Sequence, residues 1–138
     1  MRRFLDTSTL VWLYDTANPR KHQAALRLLA GDDALVVSTN VLGELFVALT
    51  KRRGTRPPLA THAQAAERVK VASEDLEVVS VEREDVIRAL GYRLEHQLSW
   101  WDALNWSSAV SARCDEYAGE DRASRASLDG VRFVNPFA

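Results

Sequence analysis

The chain has 138 residues, 46% of them hydrophobic and 27% charged, with a formal net charge of −1. These values suit one ordinary water-soluble domain spanning residues 1–138 and exclude disordered and fibrous chains. They leave nucleic-acid binding open, because a basic patch can coexist with an acidic site that lowers the total.

A lone Cys114 excludes an internal disulfide. The N-terminus runs into Asp6 before an apolar leader can develop, so a cytoplasmic protein is expected. The longest apolar stretch, Val41 to Leu49, is broken by Glu44 and is about half of the ~20 residues that a membrane-spanning helix needs. No membrane association is expected.

Arg3-Phe4-Leu5 reads as a strand, and Thr7-Ser8-Thr9 supplies capping hydroxyls for a helix through Leu10, Val11, Leu13 and Tyr14. Asn18-Pro19 opens a second helix that Gly31 stops. Leu35-Val36-Val37 is the next strand, and Ser38-Thr39-Asn40 caps a helix running to Lys51. Past the Pro57-Pro58 connector, Ala60–Ser73 reads as a more polar helix. Leu76–Val81 reads as a strand, Glu82–His96 and Trp100–Cys114 as helices, and Tyr117-Ala118 and Val131–Val134 as the last strands. Strands separated by helices of this length imply βα crossovers, a mostly parallel sheet and helices on both of its faces.

In such a sheet, ligands gather beyond the carboxyl ends of the strands. Asp6 follows the first strand directly and reads either as a helix cap or as a carboxylate at the strand exit. Glu44 is more informative. Its helical neighbours Val41, Val47 and Ala48 are apolar, so its carboxylate is expected to be half-buried and to need a cation, a hydrogen-bond network or a salt bridge. Ser99-x-x-Asp102 before an apolar helix is a capping-box pattern that alone accounts for both residues. Glu120-Asp121 reads equally as part of a solvated loop. The case for chemistry is joint: several carboxylates at strand exits repel one another unless a hard cation neutralises them. Mg²⁺ or Mn²⁺ with oxygen ligands suits phosphodiester hydrolysis without a protein nucleophile.

Other chemistries fare worse. His22, His62 and His96 lie in different helices without metal-ligand spacing, Cys114 has no base in sequence, and no phosphate-cradling glycine motif occurs. A strand ending in aspartate also opens the acyl-phosphate phosphatases, but they need a second aspartate where this chain has Ser8.

Four segments carry a resemblance: Phe-Leu-Asp-Thr-Ser from Phe4, Ser-Thr-Asn-Val-Leu-Gly-Glu-Leu from Ser38, Ser-Trp-Trp-Asp-Ala-Leu from Ser99, and Asp-Gly-Val-Arg-Phe-Val-Asn-Pro-Phe from Asp129. In order and spacing the chain resembles the PIN-domain ribonucleases, particularly the VapC-type toxins of toxin–antitoxin pairs. That resemblance implies an α/β fold, a three-layer α/β/α sandwich. It also implies an Mg²⁺-dependent (or Mn²⁺-dependent) endoribonuclease, a homodimer and a cognate antitoxin that occludes the site. By the same motif match, Asp6, Glu44, Asp102 and Asp121 fall on the family's acidic, metal-binding positions, with Ser8 and Glu120 in support. Ser8 reads equally as a cap hydroxyl. The chain departs from the family where a Ser-Glu-Asp-Leu-Gln-type segment is usual: it reads Gly119-Glu120-Asp121-Arg122-Ala123.

Lys51-Arg52-Arg53 with Arg56 offers cations to an RNA backbone or, more simply, to a helix C-terminus. Trp12, Trp100, Trp101 and Trp106 read as base-stacking, core or interface residues. Two rivals share these features: cleavage of DNA instead of RNA, and a catalytically weak or silent PIN-like domain acting through protein binding.

Overall fold

A computed structural model describes residues 1–120 and 127–138. Among them, six strands form one sheet in the order β3-β2-β1-β4-β6-β5. They are β1 (Arg2–Leu5), β2 (Ala34–Ser38), β3 (Glu77–Val79), β4 (Glu116–Ala118), β5 (Ser127–Leu128) and β6 (Val131–Val134). The helices are α1 (Thr7–Val11), α2 (Pro19–Ala30), α3 (Thr39–Thr50), α4 (His62–Asp75), α5 (Arg83–His96) and α6 (Trp100–Ser111). The layers are those of an α/β/α sandwich, with α1, α3 and α4 packed together and α5 packed on α6.

Each crossover follows from local chemistry. Asn18 caps α2 ahead of Pro19, Ser38 caps α3, and Thr61 with Gln64 closes a capping box on α4. The cap of α1 is Asp6 and not the Thr7-Ser8-Thr9 hydroxyls, because the carboxylate reaches the Thr9 amide first. The α6 helix stops before Cys114: Arg113 turns into the left-handed region at φ 56°, and the Cys114 amide bonds back to the Ala109 carbonyl.

The pairings β1–β2, β2–β3, β1–β4 and β4–β6 are parallel, and β5–β6 is antiparallel. The β5 strand is not visible in the periodicity, since two residues cannot alternate. Its turn is legible: Asp129-Gly130 has φ of 51° and 82°, the pair of positive values that a two-residue hairpin needs. Tyr92 on α5 ties this turn down through a 2.5 Å hydrogen bond to Asp129.

The core gathers Phe4, Leu5, Val36, Val37, Leu45 and Trp106. Trp106 is fully enclosed because its indole N–H finds the Leu128 carbonyl at 3.0 Å. Of the other tryptophans, Trp12 and Trp100 are partly buried and Trp101 is 54% exposed.

At the entry end of the sheet, Glu116 on β4 is buried and receives Arg3, at 2.6 Å, and Arg132. Burial pushes its carboxyl up, but the two guanidiniums outweigh that and hold it below the usual range. Replacing Arg3 by Met leaves a buried carboxylate with half its pairing and is expected to cost about 3 kcal/mol in urea unfolding at pH 7. With a folded pKa below the unfolded one, Glu116 contributes stability above pH ~4.5 that is lost as pH falls further. The deficit of Arg3→Met should therefore shrink toward pH 3.

Candidate active site at the strand exits

Three strand exits meet. The Asp6 amide bonds to the Ala118 carbonyl at 3.1 Å, and the Gly119 amide to the Val134 carbonyl at 3.1 Å, so β1, β4 and β6 end in one fixed register. Asp6 is 7% exposed. Its Oδ1 accepts from the Ser8 hydroxyl at 2.7 Å, the Thr9 amide at 3.0 Å and the Thr9 hydroxyl at 3.2 Å. Among the described residues its Oδ2 accepts nothing. Both readings of Asp6 hold at once: one oxygen caps α1 and the other is left over.

Glu44 repeats the pattern. Its Oε1 accepts from Thr7 at 3.2 Å, Asn40 at 3.1 Å and Asn105 at 3.1 Å. Asn40 also donates to the Asn105 carbonyl oxygen at 3.1 Å, so the two amides brace each other beneath the carboxylate. Glu44 is half-buried as expected, and among the described residues it is held by a neutral network and not by a salt bridge. One apolar neighbour behaves differently: Val47 is 61% exposed.

Asp102 stands in the first turn of α6, whose cap Ser99 accepts from the Asp102 amide at 3.3 Å, as the capping pattern requires. Burial pushes the Asp6 carboxyl up to about 6 against the pull of Ser8 and Thr9, and the charge of Asp102 adds to the rise. Tyr117 on β4 lies below them. Burial drives its phenol well above the usual range, and the charges of Asp6, Asp102 and Glu44 add to that.

Gly119 lets the site close. A Cβ there would lie 2.5 Å from Asp6 Oδ2 and 3.3 Å from Tyr117 Cε1. Ser8 also accepts from the Glu120 amide at 3.3 Å, linking the β4 exit to α1. The Glu120 carboxylate turns elsewhere: it accepts from Trp12 at 3.1 Å and pairs with Lys21, which holds its pKa low despite burial. Asp121 lies outside the described residues. Sequence reasoning missed Thr7, Asn40, Asn105 and Tyr117. Asn105 had a usable signal, a polar side chain one turn after Asp102 on an otherwise apolar helix.

Among the described residues, no three of His, Cys, Asp or Glu converge tightly enough to cage an ion on their own. Mg²⁺ and Mn²⁺ take few direct carboxylates and fill their octahedron with waters and substrate oxygens, so they do not require such a cage. A groove of about 440 Å³ runs from Thr7 and Glu44 past Lys51 to Trp101. A second, of about 360 Å³, shares Thr7 and Lys51 and passes Ser8 toward Trp12. Cys114 is no rival nucleophile, since burial pushes its thiol up to about 11.

The PIN domain family model matches residues 3–126, nearly the whole chain. The chain belongs to the PIN domain family. No curated protein matches it. Among solved structures, this PIN domain is similar to a toxin–antitoxin complex from Klebsiella pneumoniae, at 21% identity and TM-score 0.69, covering 97% of both chains. It is also similar to VapC20 from Mycobacterium tuberculosis, a sarcin–ricin loop cleaving toxin, at 21% identity and TM-score 0.67, with 83% of this chain and 86% of that one covered. VapBC2 from Rickettsia felis, bound to a DNA fragment from its promoter, matches at 17% identity and TM-score 0.71 over 98% of both chains. The fold is that of VapC-type toxins.

Two predictions follow from this PIN domain's geometry. With a folded pKa of about 6 against an ordinary 3.8, ionised Asp6 costs the metal-free protein about 3 kcal/mol at pH 7, a penalty relieved as pH falls through 6. In EDTA, melting temperature should therefore rise from pH 7 to pH 5, and Asp6→Asn should raise it at pH 7 and flatten that slope. Gly119→Ala forces Asp6 or Tyr117 aside and should cost about 1–3 kcal/mol in urea unfolding. An unchanged midpoint would show that the carboxylate has room to move.

Proposed function

We propose that this PIN domain is a Mg²⁺-dependent endoribonuclease, the toxin of a type II toxin–antitoxin pair, with Mn²⁺ as an alternative ion. The observation that carries the reading is the pattern on Asp6 and Glu44. Among the described residues, each has one oxygen engaged by protein donors and the other spared.

In this reading Asp6, Glu44 and Asp102 hold the cation directly or through water, and Asp121 completes the set. The bound ion supplies an activated water and neutralises charge on the scissile phosphate. Ser8 and Thr9 fix the Asp6 rotamer, while Asn40 and Asn105 fix Glu44, so the carboxylates need not reorganise when a phosphate arrives. Glu120 braces Trp12 and Lys21 instead of taking part in binding. Lys51, in both grooves, meets the RNA backbone, and the exposed Trp101 offers an unpaired base a stacking face. Ile87, Leu90 and Leu94 leave an apolar stripe along α5, with Leu94 82% exposed. Such a surface supports a protein partner, either a second copy or the antitoxin. No helix among the described residues is long and apolar enough to cross a membrane.

The test is incubation of purified protein with pooled cellular RNA and a matched DNA, in Mg²⁺, Mn²⁺ or EDTA. Discrete RNA cuts that vanish in EDTA are expected. Asp102→Asn, folded by circular dichroism, should lower the rate by a factor on the order of 100 or more, given the several kcal/mol that a bound metal supplies to the transition state. Metal-independent cuts, or full activity in Asp102→Asn, would sink the assignment. Preferential cutting of the DNA would move the substrate, and absence of cuts from well-folded protein would favour a silent, protein-binding PIN domain.

A further inference from the structure

We infer that the Tyr117 hydroxyl is a built-in hydrogen-bond donor to a water held with the cation among Asp6, Glu44 and Asp102, making Tyr117 a positioning residue of the site. The inference rests on the metal-dependent reading above and extends it to a buried residue of β4.

The ring of Tyr117 has little freedom. It is 3% exposed and stacks on Trp106 at 4.8 Å, Phe4 at 5.5 Å and Phe133 at 6.3 Å between centroids. Packing alone would be served as well by phenylalanine, which fills the same space without a polar atom to satisfy. The hydroxyl is nonetheless there, buried beside Asn105 without closing a well-formed hydrogen bond among the described residues. Asn105 donates one N–H to Glu44 and accepts from Asn40, and its second N–H lies toward the phenol oxygen, which leaves the phenol's own proton without an acceptor among the described residues. A buried hydroxyl without a partner is destabilising, and native proteins keep few of them.

Its surroundings say what would satisfy it. The space that a side chain at 119 would need is taken by Asp6 Oδ2, 2.5 Å from the position of a Cβ, with the Tyr117 ring edge 3.3 Å from the same point, so the spared carboxylate oxygen and the ring are close neighbours. Asp6 Oδ2 is the oxygen spared by Ser8 and Thr9. A phenol carries its proton at neutral pH and acts as a donor. A water brought in with a cation at the spared Asp6 oxygen would supply the acceptor that the hydroxyl lacks. Outer-sphere donors of this kind orient the ligands of a metal and tune its affinity.

Tyr117→Phe removes only the hydroxyl. Thermal unfolding of the metal-free variant in EDTA should shift upward by about 3 °C, because a buried unsatisfied group has gone. Titration calorimetry with Mn²⁺ alone should show about tenfold weaker binding than the parent chain. A hydroxyl with a merely structural role would behave oppositely, lowering the melting temperature and leaving Mn²⁺ affinity within about twofold, and either of those results overturns the proposal. A parent chain that binds no Mn²⁺ at millimolar concentration overturns the metal-dependent reading itself. That failure is distinct from one in which the parent binds and Tyr117→Phe binds equally well.

Discussion

The parallel register of β1 against β4 places Leu5 opposite Ala118, and the chemistry at the strand exits depends on that pairing. It delivers a carboxylate and a glycine side by side at the same depth. Asp6 can be buried there because its backbone amide bonds across to Ala118 and its Oδ1 is consumed in starting α1. A carboxylate so placed would otherwise carry an unpaid desolvation cost. The fold resolves half of that cost with local donors and leaves the other half to whatever enters the pocket. The same division at Glu44, worked by amides from α3 and α6, draws two further elements onto the same point.

Rigidity beneath the pocket comes from a different source. Trp106, Tyr117, Phe4 and Phe133 form a run of stacked rings across β1, β4, β6 and α6. The polar residues above it move only with that stack. The ion pairs of Glu116 with Arg3 and Arg132 anchor the other end of the same strands. The central strand β4 is thus held by charge where it enters the sheet and by hydrogen bonds where it leaves.

Much of this was legible because it is local. Capping residues and period changes mark the strand-to-helix turns within four or five residues, and Asp6, Ser38 and Ser99 each act as such a mark. Fold class follows from their alternation. The polar network was not legible, because its members are remote: Asn105 meets Glu44 across 61 residues, and Trp12 meets Glu120 across 108. Along α6, Asn105 looks like an interruption in an apolar run, and along β4, Tyr117 looks like a hydrophobic strand residue. Only the tertiary arrangement turns them toward carboxylates. Asp6 teaches the converse lesson. Cap and strand-exit carboxylate looked like competing readings, yet a carboxylate has two oxygens, and one caps α1 while the other accepts nothing among the described residues.

The sheet's margins bear on how such a protein stays monodisperse. Its outer strands are β3, with three residues, and β5, with two. A stranger's strand needs a long row of free amides and carbonyls to zip onto, and neither rim offers one. The interior strands that could nucleate stacking are paired on both sides. Pairing through the backbone is thereby disfavoured among the described residues, and the apolar surface left exposed on α5 is made of side chains instead.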